Sequence, residues 1–101
     1  VYGEAMSDER HNFRLRIIGR VQGVGYRIWA EGEAKKLGLN GWIRNRSDGS
    51  VEAHVAGPAK DVESFMGLCT HGPHGTQVEK IDVTRVDDGE PPAGFSRRPT
   101  V

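Results

Sequence analysis

The sequence contains little that would cross-link the chain, anchor it in a bilayer or attract a polyanion. Cys69 is the only cysteine among the 101 residues, so no disulfide can form within the chain and a reducing compartment is expected. No apolar run approaches the roughly 20 residues needed to cross a bilayer, and no signal peptide is evident. Lysine plus arginine number 14, as do aspartate plus glutamate, which leaves no overall attraction to nucleic acid or anionic membranes. We therefore expect a soluble, cytoplasmic protein whose anion affinity comes from a local site.

The length of the chain favours one domain with one modest core. Met6 resembles a native start, so part of the segment before it is expected to be non-native. We expect residues 1–10 to form a disordered N-terminal segment and residues 11–101 to form the domain. A monomer is the default expectation at this size.

The spacing of apolar residues predicts a β-α-β-β-α-β order. Period-two alternation predicts strands at residues 13–17, 51–55 and 78–86. A further strand is expected at residues 41–45 and a short edge strand at 95–98. Helical spacing predicts two helices, one through Tyr26, Ala30, Ala34 and Leu37 and one through Val62, Phe65, Met66 and Cys69. Gly57 and Pro58 are expected to end the third strand, with Pro58 in the first turn of the second helix. This order is typical of an α+β, ferredoxin-like α/β sandwich with a mostly antiparallel sheet and both helices on one face.

The loop between the first strand and the first helix contains the strongest functional signal, Gly19-Arg20-Val21-Gln22-Gly23-Val24-Gly25-Tyr26-Arg27. The first amides of a helix lack intrahelical partners and lie at the positive end of the helix dipole. Glycines let the backbone bend so that successive N–H groups converge, which predicts a phosphate-binding nest beside Arg27. A glycine-rich turn with surface arginines is the alternative, and the spacing matches neither the dinucleotide motif nor the nucleotide P-loop.

Asn45 is predicted at the end of the second strand. A helix reverses the chain between the first two strands, so these strands run in the same direction and end at one edge of the domain. If one strand lies between them, their separation is roughly 10 Å. Asn45 then reaches toward the loop, and its carboxamide can both donate to and accept from a water. The alternative is that Asn45 only caps the turn formed by residues 47–49.

These residues resemble two motifs of the acylphosphatase family. Residues 19–27 are similar to the first motif, and Gly41-Trp42-Ile43-Arg44-Asn45, continued by residues 48–52, is similar to the second. The resemblance covers residues 12–98 and implies hydrolysis of small acyl phosphates to a carboxylate and inorganic phosphate, without metal or cofactor. It implies catalytic roles for Arg27 and Asn45, with Asn45 orienting the attacking water. It also implies that the substrate phosphate is bound by Gln22, Gly23, Val24, Gly25, Tyr26 and Arg27.

Three features depart from the family pattern. Tyr26 replaces a more usual phenylalanine, so a hydroxyl in the core needs a partner. Arg46 follows Asn45 where some members carry threonine, which removes a hydroxyl and adds positive charge. The tail from Arg97 to Val101 extends past the last predicted strand. In some members the terminal carboxylate approaches the motif arginine, a contact that we do not carry over to this chain.

Other functions fit the sequence less well. RNA-binding domains of this topology need aromatic residues on the third strand, which here reads Val51-Glu52-Ala53-His54-Val55. A non-catalytic anion- or ligand-binding domain would not require Arg27 and Asn45 together. An acylphosphatase-like module of a larger carbamoyl-transfer protein is a close variant, against which the short chain argues.

A metal site is conceivable in the Cys-x-His-x-x-His pattern formed by Cys69, His71 and His74. No fourth ligand is evident nearby, and Cys69 lies on the apolar face of its helix. We therefore expect no metal, no cofactor and no nucleic-acid or membrane partner. The expected ligands are a small acyl phosphate and inorganic phosphate, the latter as product or inhibitor.

Overall fold

The architecture is a five-stranded sheet with two helices on one face. The computed structural model describes residues 9–101, and most of the predicted N-terminal segment lies outside the described residues. The elements in chain order are β1 (Arg10–Arg20), α1 (Tyr26–Lys36), β2 (Asn40–Asn45), β3 (Val51–Pro58), α2 (Ala59–His71), β4 (Gln77–Arg85) and β5 (Phe95–Arg97). The strand order is β4-β1-β3-β2-β5, in which only the β2–β5 pair is parallel. The predicted α+β ferredoxin-like sandwich is confirmed.

The core lies between the helices and one face of the sheet. Alternation along β1 places Leu15 and Ile17 in this core, and their arginine neighbours on the helix-free face. Ile43 of β2 packs in the same layer. The helices contribute Tyr26 and Phe65, each almost fully buried. None of the helices within residues 9–101 has the length and hydropathy needed to cross a membrane.

The hydroxyl of Tyr26 finds the partner that its burial requires. It donates a hydrogen bond of 2.7 Å to the backbone carbonyl of Cys69 in α2. Burial, followed by the proximity of Cys69, raises the pKa of Tyr26 well above its ordinary value of 10.0. The phenol therefore stays neutral, and its hydrogen bond connects the start of α1 to α2.

The end of β3 differs from the expectation for Gly57 and Pro58. The strand continues through both residues, and Pro58 immediately precedes α2 instead of lying in its first turn. Pro58 pairs with Arg10 at the last position of the β1–β3 ladder. The missing N–H of a proline is tolerated at such a terminal position. Strand β1 correspondingly begins at Arg10, one residue earlier than the expected start of the domain.

Candidate active site

Two glycines shape the loop that joins β1 to α1. Gly23 and Gly25 have φ values of 79° and 77°, in the left-handed region that side chains disfavour. Gly25 is the N-cap of α1, and its carbonyl accepts the first helical hydrogen bond from Trp29 N at 3.1 Å. A Cβ atom at either glycine would meet nothing within 4 Å. These positions therefore require glycine for their backbone conformation and not for lack of space.

Gly19 serves a different purpose at the end of β1. The register between β1 and β4 shifts between Ile18 and Gly19, which marks a β-bulge. A Cβ atom at Gly19 would lie 2.1 Å from the carbonyl oxygen of Gln77. Glycine thus allows β4 to approach closely at the point where the chain leaves the sheet for the loop.

The loop presents a run of unpaired backbone donors. Within residues 9–101, no backbone N–H from Gln22 to Arg27 has a hydrogen-bond acceptor. The last of these amides belong to the first turn of α1, where the helix dipole is positive. The half-buried guanidinium of Arg27 forms no hydrogen bond or ion pair within the described part of the chain. The predicted loop residues therefore offer a row of amides and one cation at a helix N-terminus.

The side chain of Gln22 connects the loop to the β2–β3 connection. Its Nε2 atom donates to the carbonyl oxygens of Arg46 and Ser50, each at 2.8 Å. The sequence suggested only that the backbone of Gln22 belongs to the phosphate nest. No local pattern predicts its side-chain bonds, because the acceptors are backbone atoms more than twenty residues away.

Asn45 lies at the same edge of the domain as this loop. Strands β1 and β2 are both antiparallel to β3, which lies between them, so the predicted co-directional arrangement is correct. Asn45 ends β2 and alternates onto the helix-covered face with Ile43, which is fully buried. Its carboxamide forms no hydrogen bond within residues 9–101. The side chain is thus available on the face from which α1 begins.

The turn after β2 is capped by Asp48 and not by Asn45. Asp48 Oδ1 accepts hydrogen bonds from the backbone N and the hydroxyl of Ser50, at 2.9 and 2.6 Å. Gly49 N donates to the carbonyl of Arg46 at 3.1 Å and closes the turn. The capping alternative for Asn45 is therefore wrong.

The C-terminal tail extends the pairing of β5 along β2. Arg98 N donates to Ile43 O at 2.9 Å, and Val101 N donates to Asn45 O at 3.2 Å. Ser47 N in turn donates to the backbone oxygen of Val101 at 2.7 Å. The tail thus supports the backbone of Asn45, and within residues 9–101 no hydrogen bond or ion pair joins it to Arg27.

Cys69, His71 and His74 do not come together. Cys69 is buried in the core, where burial raises the pKa of its thiol to about 12, whereas both histidines are exposed. Across the described range 9–101, no three His, Cys, Asp or Glu side chains are grouped so that they could bind a metal ion.

Comparison with known proteins points to one family. The acylphosphatase family model matches residues 13–97. An acylphosphatase of Azoarcus sp. (strain BH72) is 53% identical over 88 residues, which are 85% of this chain and 87% of that protein. The crystal structure of acylphosphatase from Bacillus subtilis has a TM-score of 0.83 at 37% identity, covering 89% of this chain and 99% of that one. Full-length HypF, solved in a phosphate- and nucleotide-bound form, matches with a TM-score of 0.81 at 29% identity, over 91% of this chain and 12% of HypF.

Proposed function

The chain belongs to the acylphosphatase family and is an acylphosphatase, and on this premise we propose its substrate class and the roles of its site residues. The substrate is a small acyl phosphate, and the products are a carboxylate and inorganic phosphate. The observation that carries the proposal is the run of amides from Gln22 to Arg27, which have no acceptor within the described range 9–101. It lies one strand away from the carboxamide of Asn45, which is also without a hydrogen bond in that part of the chain.

The loop and Arg27 bind the phosphoryl group in this proposal. The amides of residues 22–27 donate to the phosphoryl oxygens at the positive end of the α1 dipole. Arg27 supplies a guanidinium cation that can fork onto two of these oxygens. Negative charge spreads over the phosphoryl oxygens in the transition state, and fixed donors stabilise it without reorganising.

Asn45 orients the attacking water. Its carboxamide oxygen accepts one water hydrogen and its amide group donates to the water oxygen, which directs a lone pair toward phosphorus. The water forms the new P–O bond while the bond to the acyl oxygen breaks, and the carboxylate leaves with the electron pair. A carboxylate is a good leaving group, so the step needs positioning more than acid catalysis. A phosphoryl oxygen accepts the proton of the water.

Two substitutions test these roles. Arg27→Ala and Asn45→Ala should each lower kcat/KM for a small acyl phosphate by at least about 100-fold, as expected for the loss of a transition-state donor. Arg27→Ala should also abolish competitive inhibition by inorganic phosphate, whereas Asn45→Ala should retain it. A chelator should leave the wild-type rate unchanged. Arg85→Ala, which removes an exposed arginine at the end of β4, is the matched control.

The roles would be refuted by rates in both variants within a few-fold of wild type. Such a result would place the catalytic groups elsewhere in the protein. The alternative of a non-catalytic anion- or RNA-binding domain of the same topology predicts a different result: Asn45→Ala binds phosphate and acyl phosphate as wild type does, and neither protein turns the substrate over.

The oligomeric state and the cellular location of the protein are part of the same proposal. We expect a cytoplasmic monomer without nucleic-acid or membrane partners, on the grounds of zero formal net charge and a single, buried cysteine. Light scattering coupled to size exclusion tests the monomer, and cell fractionation tests the location. A stable dimer, or recovery in a membrane fraction, would contradict it.

A further inference from the structure

A single carboxylate on the helix-free face of the sheet binds several arginines. Glu52 of β3 lies directly opposite Arg44 of β2 in the strand register. Its Oε1 atom accepts hydrogen bonds from Arg44 Nε at 2.8 Å and from Arg46 Nη1 at 3.0 Å. Its Oε2 atom accepts from Arg14 Nη1 at 3.3 Å. Glu52 is therefore the common acceptor of guanidinium groups from two strands and the following turn.

The carboxylate is well sheltered, since the Glu52 side chain is only 10% exposed. Burial by itself raises the pKa of Glu52, but the hydrogen bonds from Arg44 and Arg46 and the charge of Arg14 outweigh it. The net pKa lies below the ordinary value of 4.5. The group is thus ionised under all assay conditions near neutrality, in surroundings where an ion pair is weakly screened by solvent.

The two residues that share Glu52 Oε1 are the immediate neighbours of Asn45 in the chain. Successive side chains of a strand point to opposite faces, so Arg44 and Arg46 lie on the helix-free face and Asn45 on the other. The bonds to Glu52 therefore hold the backbone on both sides of Asn45. They do so without occupying the face on which a substrate would bind.

We propose that Glu52 is a positioning residue that aims the carboxamide of Asn45 at the phosphate loop by holding Arg44 and Arg46. This inference rests on the proposed role of Asn45 and adds a residue that touches neither the substrate nor the water. It also gives the positive charge of Arg46 a function, because the guanidinium of Arg46 pairs with Glu52 on the helix-free face of the sheet.

Arg46 depends on Glu52 more than the other arginines do. The guanidinium groups of Arg14 and Arg44 also stack on the ring of Trp42, at 5.2 and 4.6 Å from its centroid. Within residues 9–101, Glu52 is the one side chain that binds the guanidinium of Arg46. The face around Trp42 should therefore keep its packing when Glu52 is neutralised, whereas the backbone just beyond Asn45 should lose its anchor on that face.

The decisive experiment is a double-mutant cycle between Glu52→Gln and Asn45→Ala. Glu52→Gln keeps the volume of the side chain and removes its charge. We expect kcat for a small acyl phosphate to fall about tenfold, as for a misdirected catalytic group. The KM and the inhibition constant for inorganic phosphate should stay within about twofold of wild type, because the loop and Arg27 are intact. In the Asn45→Ala background, Glu52→Gln should have no further effect on kcat.

Two further variants separate positioning from folding. Arg46→Met retains Glu52 with its other partners and should also lower kcat several-fold at constant KM, which keeps the test open if Glu52→Gln folds poorly. Glu90→Gln is the matched control, since Glu90 forms an exposed ion pair with Arg10 at 2.8 Å. It should leave kcat unchanged.

Each outcome decides between the alternatives. Wild-type kcat in Glu52→Gln, losses that add to those of Asn45→Ala, or an equal loss of phosphate binding would overturn the positioning role. A severe loss in Asn45→Ala together with a normal Glu52→Gln would overturn this inference alone. Wild-type activity in Asn45→Ala would overturn the proposed role of Asn45 and this inference with it.

Discussion

The Nε2 atom of Gln22 donates a hydrogen bond to the backbone carbonyl of Arg46 over 2.8 Å. This contact joins the loop before α1 to the residue that follows Asn45. It passes the start of β3, the strand that separates the two segments in the sheet. The spacing between the loop before α1 and Asn45 is therefore set partly by one neutral side chain that belongs to the loop itself.

Replacing Gln22 by methionine should loosen this connection. Gln22→Met keeps the length of the side chain and its backbone amide but removes both bonds to the β2–β3 connection. The carbonyl oxygens of Arg46 and Ser50 each keep another backbone N–H donor. The unfolding free energy should therefore fall by only about 1–2 kcal/mol. We expect weaker inhibition by phosphate, by a few-fold, together with a lower kcat. Urea unfolding and steady-state kinetics measure the two effects.

Gln77→Met is the control for this prediction, since Gln77 is exposed and its side chain forms no hydrogen bond within residues 9–101. It should match wild type in stability and kinetics. If Gln22→Met also matched wild type, the bonds of Gln22 would have no part in the geometry of the site.

The glycines of the loop should differ in their sensitivity to alanine. Gly19→Ala places a Cβ against the backbone oxygen of Gln77, which cannot move without shifting β4. We expect a loss of unfolding free energy of about 3 kcal/mol or more, in the range of a severe steric clash. Gly23→Ala has open space and suffers only the cost of a positive φ, about 1–2 kcal/mol.

Urea unfolding of both variants, with and without inorganic phosphate, tests this difference. Added phosphate should stabilise wild type by mass action, and less so Gly23→Ala if its loop departs from the binding conformation. Gly67→Ala is a helical control with open space around the added Cβ, and it should not destabilise the protein. Equal losses for Gly19→Ala and Gly23→Ala would contradict the steric argument.

His54 should make stability depend on mildly acidic pH. Burial, and secondly the charge of Arg14, lower the pKa of His54 below its ordinary value of 6.5. The unfolded state therefore binds a proton at a higher pH than the folded state does. The contribution of neutral His54 to the unfolding free energy is complete above pH 6.5. It is lost as the pH falls from 6.5 toward the pKa of His54 in the folded state. Unfolding free energy should decrease over that interval.

His54→Gln should remove this part of the pH dependence, because a glutamine amide can still donate to Asn12 Oδ1, the present partner of His54 Nε2 at 2.7 Å. Urea unfolding at several pH values between 7.5 and 5 measures it, and NMR titration of the imidazole reports the pKa directly. The exposed His74 offers the control, His74→Gln, which should retain the wild-type decrease. An unchanged decrease in His54→Gln would show that another group is responsible.

Much of the fold was accessible from local patterns. The alternation around Leu15 and the helical spacing around Ala30 identify β1 and α1, because both periods arise from backbone geometry within a few residues. The sequence predicts that β3 ends at Gly57, but the strand continues through Pro58. This end was misplaced because the sequence does not show which neighbouring strand the end of a strand will pair with. Pro58 is tolerated in β3 because it lies at the last position of the ladder with β1, opposite Arg10, where a missing N–H is tolerated.

The sequence by itself determined the order of the elements and the two segments of the candidate site. Glycines before a helix predict exposed amides, and a crossover helix between two strands predicts that Asn45 shares their edge. The tertiary structure alone decided what supports these segments: Gln22 bound to the β2–β3 connection, Glu52 bound to both neighbours of Asn45, and the tail paired along β2. These contacts depend on strand register and on residues distant in the chain, and no local periodicity encodes them.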